Sequence, residues 1–318
     1  MHKRLALWTI FTCISLALTA CSGTEPSVSM PSSDTPSISE SSEITQGTRN
    51  NSVKCMLPKT NGDNIIGESS VDIDVSFTKD GYINVTYNGD ASRTRLIITT
   101  PQELSYTYDL YKGKCDTFPL TGENGTYNVG IYEQISGNDY SVLFNDDFDV
   151  FIANEFSPYL YPNQYVKFDT NTKAVNLASD LSFSANNDLD VITNVYNYVI
   201  SHITYDYDKA DNVESTYVPD VDETLATNKG ICFDFASLMA CMLRSQGIPT
   251  RLEIGYAGDV YHAWISTYIS EVGWVNGIIE FDGHNWELMD PTFATTTSEK
   301  KLKNYIGEGD NYVTKFMY

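Results

Sequence analysis

Lys229-Gly-Ile-Cys232-Phe-Asp-Phe-Ala236 is the stretch on which the fold of this chain turns. Gly230 stands where a turn precedes a helix. From Cys232 onward Leu238, Met242 and their neighbours keep a helical pattern. Gly247-Ile-Pro249 ends it, because glycine suits the residue after a helix and proline cannot continue one. The spacing therefore predicts a helix over 232–246 that opens on a cysteine. A thiol there feels the positive end of the helix dipole and the unpaired first N–H groups. Both favour thiolate, the nucleophilic form. The same N–H groups can stabilise an oxyanion when an acyl group is attacked. Cys241 lies nine residues on, about half a turn out of phase with Cys232 and deep in the helix, and reads as core.

Downstream, Val260-Tyr-His262-Ala-Trp264-Ile-Ser266-Thr-Tyr268 alternates, so His262, Trp264, Ser266 and Tyr268 share one face of a strand. An imidazole is the natural general base for a thiol. The chain has four histidines. His2 lies in the leader, His202 ends a helical pattern and His284 falls in a turn, which leaves His262. Trp286-Glu-Leu-Met-Asp290-Pro-Thr292 ends another strand, since Pro291 forbids further central pairing. If that strand lies antiparallel to the histidine strand, Asp290 can hold the imidazole tautomer and stabilise its cation. Taken singly, each of the three has a structural explanation: a packed cysteine, a satisfied histidine beside Trp264, a turn-initiating aspartate before proline. Strands are expected at 251–256, 261–269, 277–282 and 285–290.

Upstream, Ile192, Val195, Val199 and Ile203 line one face of a helix, with Asp188 as its expected N-cap. Helices followed by strands make residues 153–318 an α+β domain. Residues 51–152 read differently. Val71-Asp-Ile73-Asp-Val75-Ser-Phe77 and later runs alternate with period two, separated by Gly, Asn and Asp clusters. That pattern predicts an all-β sandwich. Gly125-Thr-Tyr127-Asn-Val129 resembles the tyrosine corner of immunoglobulin-like folds. Cys55 and Cys115 both fall in this segment; outside the cytosol a disulfide between them is allowed, the other reading being two free thiols.

The chain opens with Met1-His-Lys-Arg4, an uncharged apolar run from Leu5 to Thr19, and Leu18-Thr19-Ala20-Cys21. This resembles a bacterial lipobox and implies a signal peptide over 1–20 and a diacylglyceryl thioether on Cys21. Residues 21–50 are rich in Ser, Thr, Pro and Glu and read as a flexible tether. The expected location is the extracytoplasmic face of the cell membrane, with membrane contact through the lipid alone. The 318-residue chain carries a formal net charge of −22, which repels nucleic acid and excludes it as a partner. No CxxC or HxxxH pairing is present, and Asp206-Tyr-Asp208-Lys-Ala-Asp211 lacks the glycine of a calcium loop. No metal and no cofactor are expected.

Residues 188–293 as a whole resemble the transglutaminase-like superfamily, relatives of papain-type thiol enzymes. The matching pieces are Ile203-Thr-Tyr-Asp206, Gly230-Ile-Cys-Phe-Asp-Phe-Ala236, Leu243-Arg-Ser-Gln-Gly-Ile-Pro249, Gly255-Tyr256, His262-Ala-Trp264 and Trp286-Glu-Leu-Met-Asp-Pro-Thr292. The resemblance implies a papain/transglutaminase-like core with Cys232 as nucleophile, His262 as base and Asp290 as orienter. Tyr205 and Trp264 are the candidates for an oxyanion or substrate contact. The segment of about 270–285 is longer than the usual pattern. The chemistry implied is a thioester on Cys232 resolved by water or by an amine, with extracellular protein or cell-wall peptide as substrate. The competing expectation is a catalytically silent binding or scaffold lipoprotein.

Overall fold

Period-two alternation becomes strand through most of the first half of the chain, although the 71–77 run is strand only over Val71–Asp74 and then turns into a 3-10 segment at Thr78–Asp80. The computed structural model describes residues 44–270, 272–276, 278–281, 286–289 and 312–318. Eight strands come first: Ile65–Glu68 (β1), Val71–Asp74 (β2), Tyr82–Tyr87 (β3), Thr94–Thr99 (β4), Ser105–Leu110 (β5), Cys115–Pro119 (β6), Gly125–Ser136 (β7) and Asp139–Val150 (β8). They form two antiparallel four-stranded sheets, ordered β1-β2-β3-β6 and β5-β4-β7-β8. Val71, Ile73, Ile83 and Val85 of the first sheet and Leu96, Ile98, Val129 and Ile131 of the second are buried in one core. Tyr127 is buried, and its hydroxyl lies so close to Gly122 that a Cβ there would come within 2.7 Å of it.

The second half supplies helices Lys173–Leu181 (α1), Asp188–His202 (α2), Tyr207–Asn212 (α3), Val221–Thr227 (α4) and Cys232–Ser245 (α5). The short strands Thr204–Tyr205 (β9) and Lys229–Gly230 (β10) pair in parallel. Thr250–Ala257 (β11), Val260–Ile269 (β12), Gly273–Asn276 (β13) and Tyr312–Met317 (β16) make an antiparallel sheet, ordered β13-β12-β11-β16. Ile278–Phe281 (β14) and Trp286–Met289 (β15) form a hairpin of their own.

Helix α5 organises this half. It is buried from Asp234 to Ser245 and packs on α1, α2 and α4 and on β11 and β12. Its sequence is apolar nearly all round, which is the signature of a core helix. Its buried polar groups are bonded. Ser237 donates to the Tyr165 carbonyl at 2.6 Å. Arg244, fully buried, donates from three nitrogens to the carbonyls of Thr250, Tyr161 and Tyr318 at 2.9, 2.9 and 2.6 Å. Burial pulls its guanidinium down to about 9. These bonds offset the cost of removing a cation from water. They also tie α5 to the C-terminal strand.

Several expectations are revised. The N-cap of α2 is Asn187, whose side chain accepts from the Asp190 N–H at 2.9 Å. Asp188 is instead the first helical residue and pairs with Arg49 at 2.6 Å. Residues 47–50, read as tether, form a strap over the helices. Gly47 and Arg49 donate backbone N–H groups to Phe183 and Ala185, and Lys54 continues to Ser245. Gly47 is required there, because a Cβ would fall 2.1 Å from the Ala185 carbonyl oxygen. Helices α1, α3 and α4 were not anticipated; α3 and α4 are short with few apolar positions, whereas in α1 Ala174, Leu177, Ala178 and Leu181 recur at helical spacing, a signal the sequence reading missed. Cys55 and Cys115 are free thiols, so the bridge between them is not formed. Cys55 belongs to the strap, half-buried near Cys241 and Asp169, whereas Cys115 is exposed on β6 opposite Thr86. The leader, Cys21, His284 and Asp290 lie outside the described residues. Among the described residues no helix is long and apolar enough to cross a membrane.

Candidate active site

Cys232 is the first residue of α5, with extended Ile231 as its N-cap. The approach is set by backbone: Gly230 pairs with Tyr205 across β9 and β10. Gly230 cannot carry a side chain, since a Cβ would fall 2.5 Å from the Cβ of Asp234. Asp234 occupies the third position of the helix and is fully buried. Its carboxylate accepts from the Ile231 N–H at 2.8 Å, from Lys209 Nζ at 2.9 Å and from the Tyr217 hydroxyl. Lys209 also lies 4.2 Å over the Tyr217 ring. A carboxylate in the first turn suits the helix dipole. The result is a latch joining the start of the cysteine helix to the 207–217 segment. The sequence reading missed it; Asp234, two residues after Cys232, was the available signal.

His262 is 4% exposed on β12, opposite Gly255 of β11. A Cβ at Gly255 would meet the Val313 carbonyl oxygen of β16 at 2.1 Å, beside a register shift at Ile254/Gly255. Glycine thus lets β16 close on the strand that backs His262. The imidazole lies within ring-contact range of Trp264 and Tyr312, at 6.2 and 6.5 Å between centroids.

Cys232 and His262 line the same cavity, of roughly 550 Å³. Tyr165, Tyr205, Tyr217, Phe233, Tyr261, Phe316 and Tyr318 line it, and Ser105 and Thr107 of β5 join them from the N-terminal sheets. Burial first, then the neighbouring Cys232, pushes the Tyr205 hydroxyl up to about 12. Tyr261 is raised by burial, by Tyr256 and by Cys232. Both rings therefore stand within electrostatic reach of the thiol.

The transglutaminase-like superfamily pattern matches residues 175–277, the span that holds Cys232 and His262. Residues 175–277 are thus similar to a transglutaminase-like domain. A protein of Bacillus subtilis strain 168, the uncharacterised YebA, is 31% identical over 124 residues, covering 31% of this chain and 16% of its own length. The chain thus spans about a sixth of the curated relative it matches. Among solved structures, a candidate cysteine protease from Cytophaga hutchinsonii is similar at 16% identity and a TM-score of 0.35, over 73% of this chain and 70% of that one. The periplasmic domain of TgpA from Pseudomonas aeruginosa is similar at 14% identity and 0.34, over 72% and 95%. Members of the superfamily are cysteine-protease-like or acyltransferases.

The expected residues divide. Tyr205 lines the cavity. Trp264 is buried and packs edge-on against Tyr312 at 5.0 Å, and it is not among the lining residues. Alternation places it on the His262 face, but the C-terminal strand covers it. Cys241 is buried, and burial holds its thiol well above the ordinary range, in keeping with a core role. His202 stacks on Tyr198 at 4.1 Å and is exposed at the end of α2. The strand before Asp290 pairs with β14 rather than with the histidine strand among the described residues.

Proposed function

We propose that the protein is a thiol hydrolase or acyltransferase that acts on peptide or protein amides through a Cys232 thioester. The observation that carries this reading is the shared cavity: a cysteine at the N-terminus of a buried helix and a buried histidine both open on it. In the proposed reaction His262 takes the thiol proton and the thiolate attacks the carbonyl carbon. The first N–H groups of α5 stabilise the oxyanion, and the leaving amine takes the proton from His262. Water or a second amine then resolves the thioester. Asp290 is proposed to hold the imidazole from the end of β15. Ser105 and Thr107 give the N-terminal sheets, read here as an immunoglobulin-like sandwich, a place in the substrate wall.

The proposed setting is the extracytoplasmic surface, with Cys21 lipidated. Cys21→Ser should move the protein from the membrane fraction to the soluble one; retention on the membrane would remove the anchor from the reading. The enzyme claim is tested by timed alkylation of the native protein with iodoacetamide near neutral pH, mapped by mass spectrometry. Cys232 should react faster than exposed Cys115 and slow markedly in His262→Ala. Equal rates at the two thiols, or a rate indifferent to His262, would overturn it. Incubation with a protein substrate and a labelled amine then separates cleavage from incorporation.

A further inference from the structure

The wall of the Cys232 cavity has a chemical sign. Seven Tyr and Phe side chains line it, and among the described residues no Lys or Arg does. Besides the tyrosines, Cys232 and His262, its one ionisable lining side chain is Glu214. Glu214 is exposed in the segment that follows α3, beside Val213 and Ser215. The cation on the adjoining helix, Lys209, is engaged by the buried Asp234 and by the Tyr217 ring. An exposed carboxylate in the lining attracts a cation and disfavours an anion, and an aromatic ring whose face a cation can reach adds to that preference.

We propose that Glu214 is a specificity residue, selecting acyl donors that carry a positively charged side chain beside the reacting carbonyl. The inference rests on Cys232 as the reactive thiol. The charged group would sit against Tyr205, Tyr217 and Phe233 with Glu214 at the entrance, while the carbonyl meets Cys232.

The test uses the native full chain at low ionic strength and three methanethiosulfonates: a neutral methyl reagent, a cationic trimethylammonium-ethyl reagent and an anionic sulfonatoethyl reagent. In each case the thiolate attacks the sulfenyl sulfur, a mixed disulfide forms, methanesulfinate leaves and the thiol proton goes to buffer. Rates are read at Cys232 and at exposed Cys115, which feels the net charge of the chain but is flanked by Lys114 and Asp116 of opposite sign. The cationic-to-anionic rate ratio should be larger at Cys232 than at Cys115. One charge acting across about 7 Å of water-like medium changes each rate about threefold, so Glu214→Gln should lower the ratio about sevenfold. Glu214→Lys should reverse the preference, whereas the distant, exposed Glu68→Gln should leave it in place. A ratio unmoved by both Glu214 variants, or moved equally by Glu68→Gln, overturns the proposal. The neutral reagent reports on the parent reading separately: if it reacts no faster at Cys232 than at Cys115, the thiol is not activated and the enzyme reading fails. Fast neutral reaction with an unchanged charge ratio rejects the selectivity alone.

Discussion

Replacing Lys209 with methionine removes the cation from a carboxylate that has no contact with water. Asp234 is fully buried, while the Lys209 side chain is 27% exposed. Losing one partner of a fully buried ion pair costs about 3–5 kcal/mol. Partial exposure of Lys209 screens the interaction, and the Ile231 N–H and the Tyr217 hydroxyl remain to hold the carboxylate. The expected cost is therefore about 2 kcal/mol. Tyr217→Phe removes one hydrogen bond to a charged acceptor and should cost about 1.5–2 kcal/mol. Both groups serve the same carboxylate, so the double variant should depart from the sum of the two by at least about 0.5 kcal/mol. Urea unfolding of the three variants, followed by far-UV circular dichroism, measures the cycle. The latch also joins the start of α5 to the cavity wall, so Cys232 alkylation should slow in Lys209→Met under conditions where the protein is fully folded. Unchanged stability together with unchanged alkylation would refute the assignment of a latch.

Three further outcomes are expected. Gly230→Ala should destabilise the protein by about 1–3 kcal/mol and slow Cys232 labelling, because the added methyl meets the Asp234 Cβ; a neutral result in urea unfolding would contradict the packing described. Native labelling near pH 8 should be slow at Cys55, whose thiol burial and Asp169 push up to about 11, and absent at Cys241, which burial raises further; peptide mapping showing Cys241 modified as fast as Cys115 would be inconsistent with its position. Stability should fall at alkaline pH. Burial raises Tyr82, Tyr159 and Tyr205 to about 12 in the fold, above their ordinary value of 10.0. The folded state therefore binds more protons between those values. The stabilisation is complete below pH 10 and is lost as pH rises toward 12. Absorbance at 295 nm should show a late-titrating class of tyrosines; ionisation of every tyrosine near pH 10 in a still-folded protein would disprove it.

Local chemistry was legible in the sequence where one element sufficed to express it. Period-two alternation marked the strands of the first half, and Gly247-Ile-Pro249 marked the end of α5, where Gly247 has a φ of 75°. Helical phase separated Cys232 from Cys241, because the angle between two residues on one helix depends on their spacing alone. Cys232 as first residue of α5 and His262 on a strand were both read from spacing, and each holds in the structure. What needed two or more distant segments was not legible. Asp188 was a reasonable cap by residue type, yet Asn187 takes that role and Arg49 claims Asp188 from 139 residues away. The Asp234 latch joins residues 25 and 17 positions apart through a segment with no period of its own. Trp264 shares a strand face with His262, but β16 arrives from the end of the chain and packs Tyr312 on it. The cavity draws on β5, the 205–217 segment, α5, β12 and the C-terminal strand at once. The sequence by itself determined which groups could react and the local geometry that readies them, since backbone periodicity and helix ends are short-range properties. Only the tertiary structure decided which of those groups meet, what lines the space between them and what charge that space carries, because burial and proximity are set by segments that the chain brings together on folding.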